Sequence, residues 1–530
     1  MEIIIRNGGV VDGTGNPWFK ADVGIEGGRI EKIGDLRGVK ADEVIDARGL
    51  IVCPGFIDMH SHSDLALLKD PLSEQKVRQG ITTELLGQDG FSVAPVRAET
   101  VGKLKTYLAG LLGELDREWS WRTLGEYFET LERSGTATNV ASYVGHATVR
   151  VASMGFDDRA PTGEEMDGMR ELLAQAMLEG AMGMSSGLVY PPSCYATTDE
   201  LVELCRVVAR YGGIYTSHIR GESYTLETSL QEAITIGRRA GIPVHISHHK
   251  ASGRDNWGKV KKTLSMIDQA RTEGLDITCD QYPYTAGSTM LGVIIPPWAH
   301  EGGVESLVKR LKDPETREKL RVDMSEGVPG WSSYLRAAGW ENILITYCRK
   351  NKGLEGKTLA EIAREEGRDP FDTAFDLLIE ENAAVSIVLF YLSEGDVRTV
   401  MRHPAVMVGT DGLLGGKPHP RVYGTYPRIL GRYVREEGVL TLEDAVRKMT
   451  SLPAQRLGLW DRGLIREGFS ADITTFDPKG IIDRGTYVEP RQFPEGIEHV
   501  IINGVIVLEG GRQREVYPGR VLRKRLGDRV

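Results

Sequence analysis

The chain of 530 residues carries a formal net charge of −10, which argues against a nucleic-acid binder, whose usual footprint is a basic surface. Its 41% hydrophobic and 26% charged residues are typical of a globular protein in water, and its length exceeds one ordinary domain while suiting a large barrel with an accessory module. No stretch approaches the roughly 18–20 apolar residues of a membrane span, and the apolar run of Met1-Glu2-Ile3-Ile4-Ile5-Arg6 is too short for a signal peptide.

Residues 1–52 alternate short strand patterns with glycine turns: Ile3-Ile4-Ile5, Ala21-Asp22-Val23-Gly24-Ile25 and Arg29-Ile30-Glu31-Lys32-Ile33. The run Leu50-Ile51-Val52-Cys53 and Gly55-Phe56-Ile57 then read as buried strand, opening into the loop after Asp58-Met59-His60-Ser61-His62. With 55–58, further buried strands are expected at 81–86, 139–144, 181–185, 213–218, 243–247, 275–280 and 405–410. Helical spacing fills several intervals. Thr162 to Glu179 places Met166, Met169, Leu172, Leu173, Ala176 and Met177 on one side, with Thr162 as N-cap and Gly180 as stop; Thr198 to Tyr211 does the same with Leu201, Leu204, Val207, Val208 and Tyr211. Eight strands alternating with helices fit a (β/α)8 barrel, the preferred reading, and also a doubly wound sheet.

From about 284 to 368 the alternation stops, and an insertion this long over a barrel mouth reads as a lid or substrate wall. Strand texture returns at Ala471–Phe476 and His499–Val507, so the expected division is a β-sandwich from 1–52 and 461–530 around a catalytic barrel at 53–460. The basic residues Arg520, Arg523, Lys524, Arg525 and Arg529 read as a solvated end. Five scattered cysteines, Cys53, Cys194, Cys205, Cys279 and Cys348, fit a reducing compartment, so the expected location is the cytoplasm.

His60 and His62 lie one residue apart, and the period of two along a strand turns both to one face, where they can meet one metal ion. His218, His248 and Asp411 end three other strands, where barrel enzymes place their chemistry. His245 faces the other side of its strand, and His249, pointing away from His248, reads as structural or as a support to the ligands. These five donors exceed the need of one ion, and two ions roughly 3.5–4 Å apart require a bridging ligand. The candidate is Asp89 in Gly87-Gln88-Asp89-Gly90, whose glycines permit close backbone approach. Metal-activated water with Asp411 as proton acceptor specifies hydrolysis of an amide-like bond.

The motifs resemble the amidohydrolase superfamily, and specifically its D-aminoacylase branch, the N-acyl-D-amino-acid deacylases. Pro54–His62 marks the superfamily. His248-His249-Lys250 and Tyr282-Pro283-Tyr284-Thr285-Ala286-Gly287-Ser288-Thr289 are much more specific to the branch, and His419-Pro420-Arg421 belongs to the same resemblance. The resemblance implies an α/β fold: a (β/α)8 TIM-like metal-dependent hydrolase barrel with a small β-sandwich from both termini. It implies divalent metal, zinc first, as one or two ions per subunit, with manganese or cobalt as substitutes. His218 and His248 would hold the tighter ion, His60 and His62 the weaker, with Asp411 as general base. Lys250, Tyr282 and Ser288 would engage the substrate carboxylate, with Tyr190 near the reacting carbonyl. Many members carry cysteine where this chain has Asp89, a harder donor that shifts preference toward manganese or cobalt. His146 and Arg220 either orient a ligand or serve the structure.

The partner expected is a small molecule, with no nucleic acid and no membrane; a homo-oligomer is compatible with the sequence. The rival reading is a cyclic amide hydrolase of the dihydroorotase or hydantoinase kind, or a dipeptidase. Those relatives bridge their metals with a carboxylated lysine on the fourth strand, and Ala181-Met182-Gly183-Met184-Ser185-Ser186 has none. A non-catalytic scaffold of the same fold would have lost metal ligands that this chain retains.

Overall fold

The computed structural model describes residues 1–525. Eight strands line the centre: β1 (Phe56–Asp58), β2 (Ile81–Leu86), β3 (Asn139–Ser142), β4 (Gly183–Gly187), β5 (Ile214–His218), β6 (Val244–Ile246), β7 (Ile277–Gln281) and β8 (Val406–Val408). Each starts or ends within two residues of the stretch expected from hydrophobic runs. Every residue in them is buried, as parallel strands covered on both faces must be.

Neighbouring strands pair in parallel around the ring, for example Phe56 with Ile81, Thr83 with Asn139, Gly183 with Ile214, Tyr215 with Val244, Val244 with Ile277 and Cys279 with Val406. The extension Val144–Gly145 carries β3 onto β4. Closure is made where Met59 N donates to Val408 O at 3.2 Å and Ser61 bridges Gly412. The ring settles the choice between an open sheet and a barrel in favour of the barrel.

The helix Gly163–Leu178 begins at Thr162, whose side chain accepts from Glu165 N while Glu165 reaches back to the Thr162 N–H, a reciprocal cap. Thr198–Arg210 is capped by Thr197 and buries Leu201, Leu204, Val207 and Val208; Tyr211 falls just past its end and stays half-buried.

One expectation needs correction. The run from Leu50 to Ile57 is not one strand but two, belonging to different sheets. Ile51–Pro54 pairs with Ile3–Val10 and with Ile473–Phe476, inside a nine-stranded sheet built from both ends of the chain. At Gly55 the chain crosses to β1. Its N–H still donates to Asp472 O at 2.8 Å, and a Cβ there would collide with Thr82. Hydrophobicity alone hides such a crossing, because both sheets bury the run.

Between β7 and β8 lies a three-stranded antiparallel sheet, Ala286–Met290, Val385–Phe390 and Ile343–Cys348, with Val385–Phe390 in the middle. Its middle strand follows residue 368, because the antiparallel sheet is completed only by the segment that returns toward β8. The basic tail packs along the barrel: Leu522 N donates to Val140 O at 2.7 Å, and Arg523 Nη2 pairs with Glu132 Oε2 at 3.0 Å, while Arg529 lies outside the described residues. No helix among the described residues is long and apolar enough to cross a membrane.

Candidate metal centre

Asp89 follows β2 in a left-handed conformation (φ 54°) between Gly87 and Gly90, both also at positive φ. A Cβ on Gly90 would meet Gly187 N at 2.7 Å, and one on Gly87 would collide with Tyr143 O; glycine on each side is what lets this turn press against β3 and β4. His248 (φ 34°) and Asp411 (φ 49°) are likewise left-handed. Three of the eight non-glycine residues with positive φ among the described residues therefore sit at one mouth of the barrel. Such conformations cost about 1–3 kcal/mol each and persist where surrounding structure imposes them.

Around Asp89 the strand ends converge. Asp89 Oδ2 lies 3.5 Å from His60 Nε2, 3.6 Å from His62 Nε2 and 3.8 Å from His218 Nδ1, while Oδ1 lies 3.5 Å from His248 Nε2. Asp411 Oδ1 is 3.1 Å from His62 Nε2 and 3.5 Å from His60 Nε2. The donors form two overlapping groups, His60–His62–Asp89–Asp411 and Asp89–His218–His248, which share Asp89. Among the described residues, His60 Nε2, His218 Nδ1 and Asp89 Oδ1 are buried with no hydrogen-bond partner, which is rare for such atoms. Zinc bonds of about 2.0–2.1 Å separate two tetrahedral ligands by about 3.4 Å, and the observed separations bracket that value. The donor set fits divalent cations.

The outer atoms of the cluster are held in turn. Asp280 Oδ2 bonds His245 Nε2 at 2.9 Å and lies 3.7 Å from His60 Nδ1, and Asp280 Oδ1 accepts from His248 N at 2.9 Å. Buried Lys76 donates to Asp58 Oδ2 at 2.6 Å and Thr410 Oγ1 at 2.9 Å, while Asp58 Oδ1 accepts from His60 N and Thr410 N. This ties the ends of β1 and β8 together beneath His60 and Asp411. Arg421 Nη1 pairs with Asp411 Oδ2 at 2.9 Å.

Electrostatics follow from these contacts. Burial would raise the Asp411 carboxyl, but Arg421 and His60 outweigh it and hold the group ionised, below the usual carboxylate range. Burial likewise opposes ionisation of Asp89, and His60 and His248 overcome it. Burial and Lys250 work against a proton on His248, yet Asp89 and Glu222 raise it to about 9.

One cavity contains Asp89, His62, His218, His248 and Asp411 with Lys250, Tyr190, Tyr282 and Ser288 on its walls. Tyr190 bonds Thr289 Oγ1 at 2.7 Å and turns its ring edge-on to His218; the Tyr282 hydroxyl has no hydrogen-bond partner among the described residues. Lys250 arrives although β6 ends at Ile246 and the strand alternation ends with it. His146, Arg220 and His249 lie outside the cavity and are held by other contacts. His146 links Ser193 and Glu200, Arg220 pairs with Glu232, and His249 bonds Thr263. Sequence reasoning missed Glu222, Tyr334, Tyr391 and Leu111, which complete the walls. Glu222 had no strand-end signal, and Tyr334 comes from the insertion.

A barrel that crowds imidazoles and carboxylates at its strand ends in this way defines a metal-dependent hydrolase. The chain belongs to the amidohydrolase family, whose sequence profile matches residues 43–508. It is 39% identical to an N-acyl-D-glutamate deacylase of Alcaligenes xylosoxydans xylosoxydans, over 99% of this chain and 97% of the relative. It is 36% identical to a D-aminoacylase of the same organism, over 98% and 97%. Among solved structures, N-acyl-D-glutamate deacylase from Bordetella bronchiseptica, complexed with zinc and a phosphonate inhibitor that mimics the tetrahedral intermediate, matches with a TM-score of 0.85 at 36% identity over 99% of both chains. A D-hydantoinase, at 14% identity and a TM-score of 0.56, shares the fold alone. β4 carries no lysine, so the bridging group expected of the cyclic amide hydrolases has no counterpart at that position.

Proposed function

We propose that the protein hydrolyses the amide bond of N-acyl-D-amino acids, releasing a D-amino acid and a carboxylate. The observation that carries this reading is a single cavity in which the Asp89-centred donor set faces Lys250. The curated deacylases that cover nearly the whole chain support it. In this reading His218, His248 and Asp89 hold one ion, and His60, His62, Asp89 and Asp411 a second, with zinc favoured and manganese or cobalt accepted.

A divalent ion held there supplies Lewis acidity that polarises the scissile carbonyl and makes hydroxide available near neutrality. Asp411, ionised by its contact with Arg421, takes the proton of the attacking water at Oδ1 and passes it to the departing nitrogen. The Lys250 ammonium receives the substrate's α-carboxylate, a charge-assisted contact, with the hydroxyls of Tyr282 and Ser288 alongside. Tyr190 stands beside the reacting carbonyl. Residues 53–460 carry the catalysis, with the 284–368 segment over the mouth, and 1–52 with the described part of 461–530 form the accessory β module, residues 526–530 lying outside the described residues. The five unpaired cysteines support a cytoplasmic setting.

The test is a hydrolysis screen of paired N-acetyl-D- and N-acetyl-L-amino acids, dihydroorotate and dipeptides, with zinc, manganese or cobalt added. Turnover confined to the N-acyl-D-amino acids is expected. Exclusive turnover of a cyclic amide or an L-dipeptide would overturn the substrate assignment.

A further inference from the structure

Glu222 stands four residues past the end of β5 and is buried. Its Oε1 accepts from Lys250 Nζ at 2.6 Å and lies 3.1 Å from His248 Nδ1, a nitrogen that the same Lys250 Nζ approaches at 2.6 Å, so carboxylate, ammonium and imidazole meet at one point. Its Oε2 accepts from the Tyr334 hydroxyl at 3.5 Å. Tyr334 in turn lies 3.1 Å from His218 Nε2, and Glu222 Oε2 itself is 3.7 Å from that nitrogen. His218 turns Nδ1 toward Asp89 and His248 turns Nε2 toward it. The nitrogens that look away from the donor cluster therefore both lead to one carboxylate.

This convergence depends on the insertion. Tyr334 opens the short helix Tyr334–Ala338, which is seated by Ser332 Oγ against Thr225 Oγ1 at 2.8 Å. A Cβ on Gly221 would collide with both of those hydroxyls, so glycine beside Glu222 is what admits the insertion at this point.

We infer that Glu222 is a positioning residue that anchors the outward nitrogens of His248, directly, and His218, through Tyr334, while fixing Lys250 in the same cavity. A histidine that binds metal through one nitrogen is oriented by the hydrogen bond its other nitrogen donates, and a carboxylate in that place strengthens it as a ligand. Here one carboxylate serves two histidines on adjacent strands and also the cation that faces the substrate. The inference rests on the proposed roles of His218, His248 and Lys250 and adds a physical link between metal retention and carboxylate recognition.

The experiment uses the full-length protein and its Glu222→Gln, Glu222→Ala, Tyr334→Phe and Glu222→Gln/Tyr334→Phe variants. Metal affinity is read by equilibrium dialysis against zinc, geometry by the visible absorption of the cobalt-substituted proteins, and folding by circular dichroism. Glu222→Gln is expected to weaken zinc binding about 10- to 100-fold and to shift the cobalt bands, with Tyr334→Phe producing a smaller loss. The double variant is expected to lose less than the two single losses combined, because the hydroxyl acts through the carboxylate. Glu222→Ala, assayed at saturating zinc, is expected to raise KM for an N-acetyl-D-amino acid by a larger factor than that of its carboxamide analogue.

Unaltered zinc affinity and cobalt spectra in folded Glu222→Gln, or strictly additive losses, would overturn the inference. So would an equal rise in KM for acid and carboxamide. Should the wild type turn over no N-acyl-D-amino acid, the substrate reading fails, while the zinc and cobalt measurements still decide the role of Glu222.

Discussion

Asp411→Asn separates catalysis from stability at the proposed base. Asparagine preserves the size of the side chain and one acceptor oxygen but cannot take up a proton. Removal of a positioned general base costs about 10²- to 10⁴-fold in rate, so kcat is expected to fall by that factor with KM nearly unchanged. The same substitution strands Arg421, which is fully buried and pairs with Asp411 Oδ2 at 2.9 Å. Breaking a buried ion pair by removing one partner costs about 3–5 kcal/mol. Asp411→Asn should therefore also unfold at lower temperature and lower denaturant. Arg421→Met placed on top of it removes the stranded charge, and most of the lost stability should return because the two sites are directly coupled. Turnover should not return with it. Steady-state kinetics and thermal denaturation of the single and double variants provide the measurements. An Asp411→Asn protein that keeps turnover within tenfold of the wild type would refute the assignment of the proton to this residue.

Asp89→Ala removes the donor common to both groups and is expected to lower bound metal and abolish turnover; unchanged metal content and rate would exclude Asp89 as a ligand. Lys250→Met is expected to raise KM by roughly tenfold or more with kcat preserved, the loss of a charge-assisted hydrogen bond of about 1.5–3 kcal/mol, visible in the same kinetics. Asp89 and Asp411 hold protons on His60 above its ordinary range against burial, and these must leave before metal binds. Metal uptake should therefore weaken as pH falls and release protons, measurable by calorimetry in buffers of different ionisation enthalpy. Chelation should lower thermal stability, since a ligand at 1,000 times its Kd stabilises by about 4.1 kcal/mol. Thr162→Ala should cost about 1 kcal/mol through loss of its cap on Glu165 N, with activity intact.

The barrel strands were legible because buried parallel strands write themselves as short apolar runs, and the candidate donors because each ends such a run. His60, His62, His218, His248 and Asp411 were proposed in this way, and Asp89 by its strand-end position between glycines; the structure brings all six side chains together. The Leu50–Ile57 run misled because two sheets share it. His146 and Arg220 resembled site residues locally, but the partners that claim them, Glu200 and Glu232, sit on other elements.

Periodicity and strand-end chemistry, both local properties of the chain, thus determined the class of fold, the kind of reaction and the residues proposed as donors. Tertiary structure alone decided which buried charges meet: Lys76 under Asp58, Arg421 on Asp411, and Glu222 between Lys250, Tyr334 and the two histidines. Those partners lie up to 112 residues apart in the sequence, and whether a buried charge is satisfied depends on what folds against it, which no local pattern of residues records.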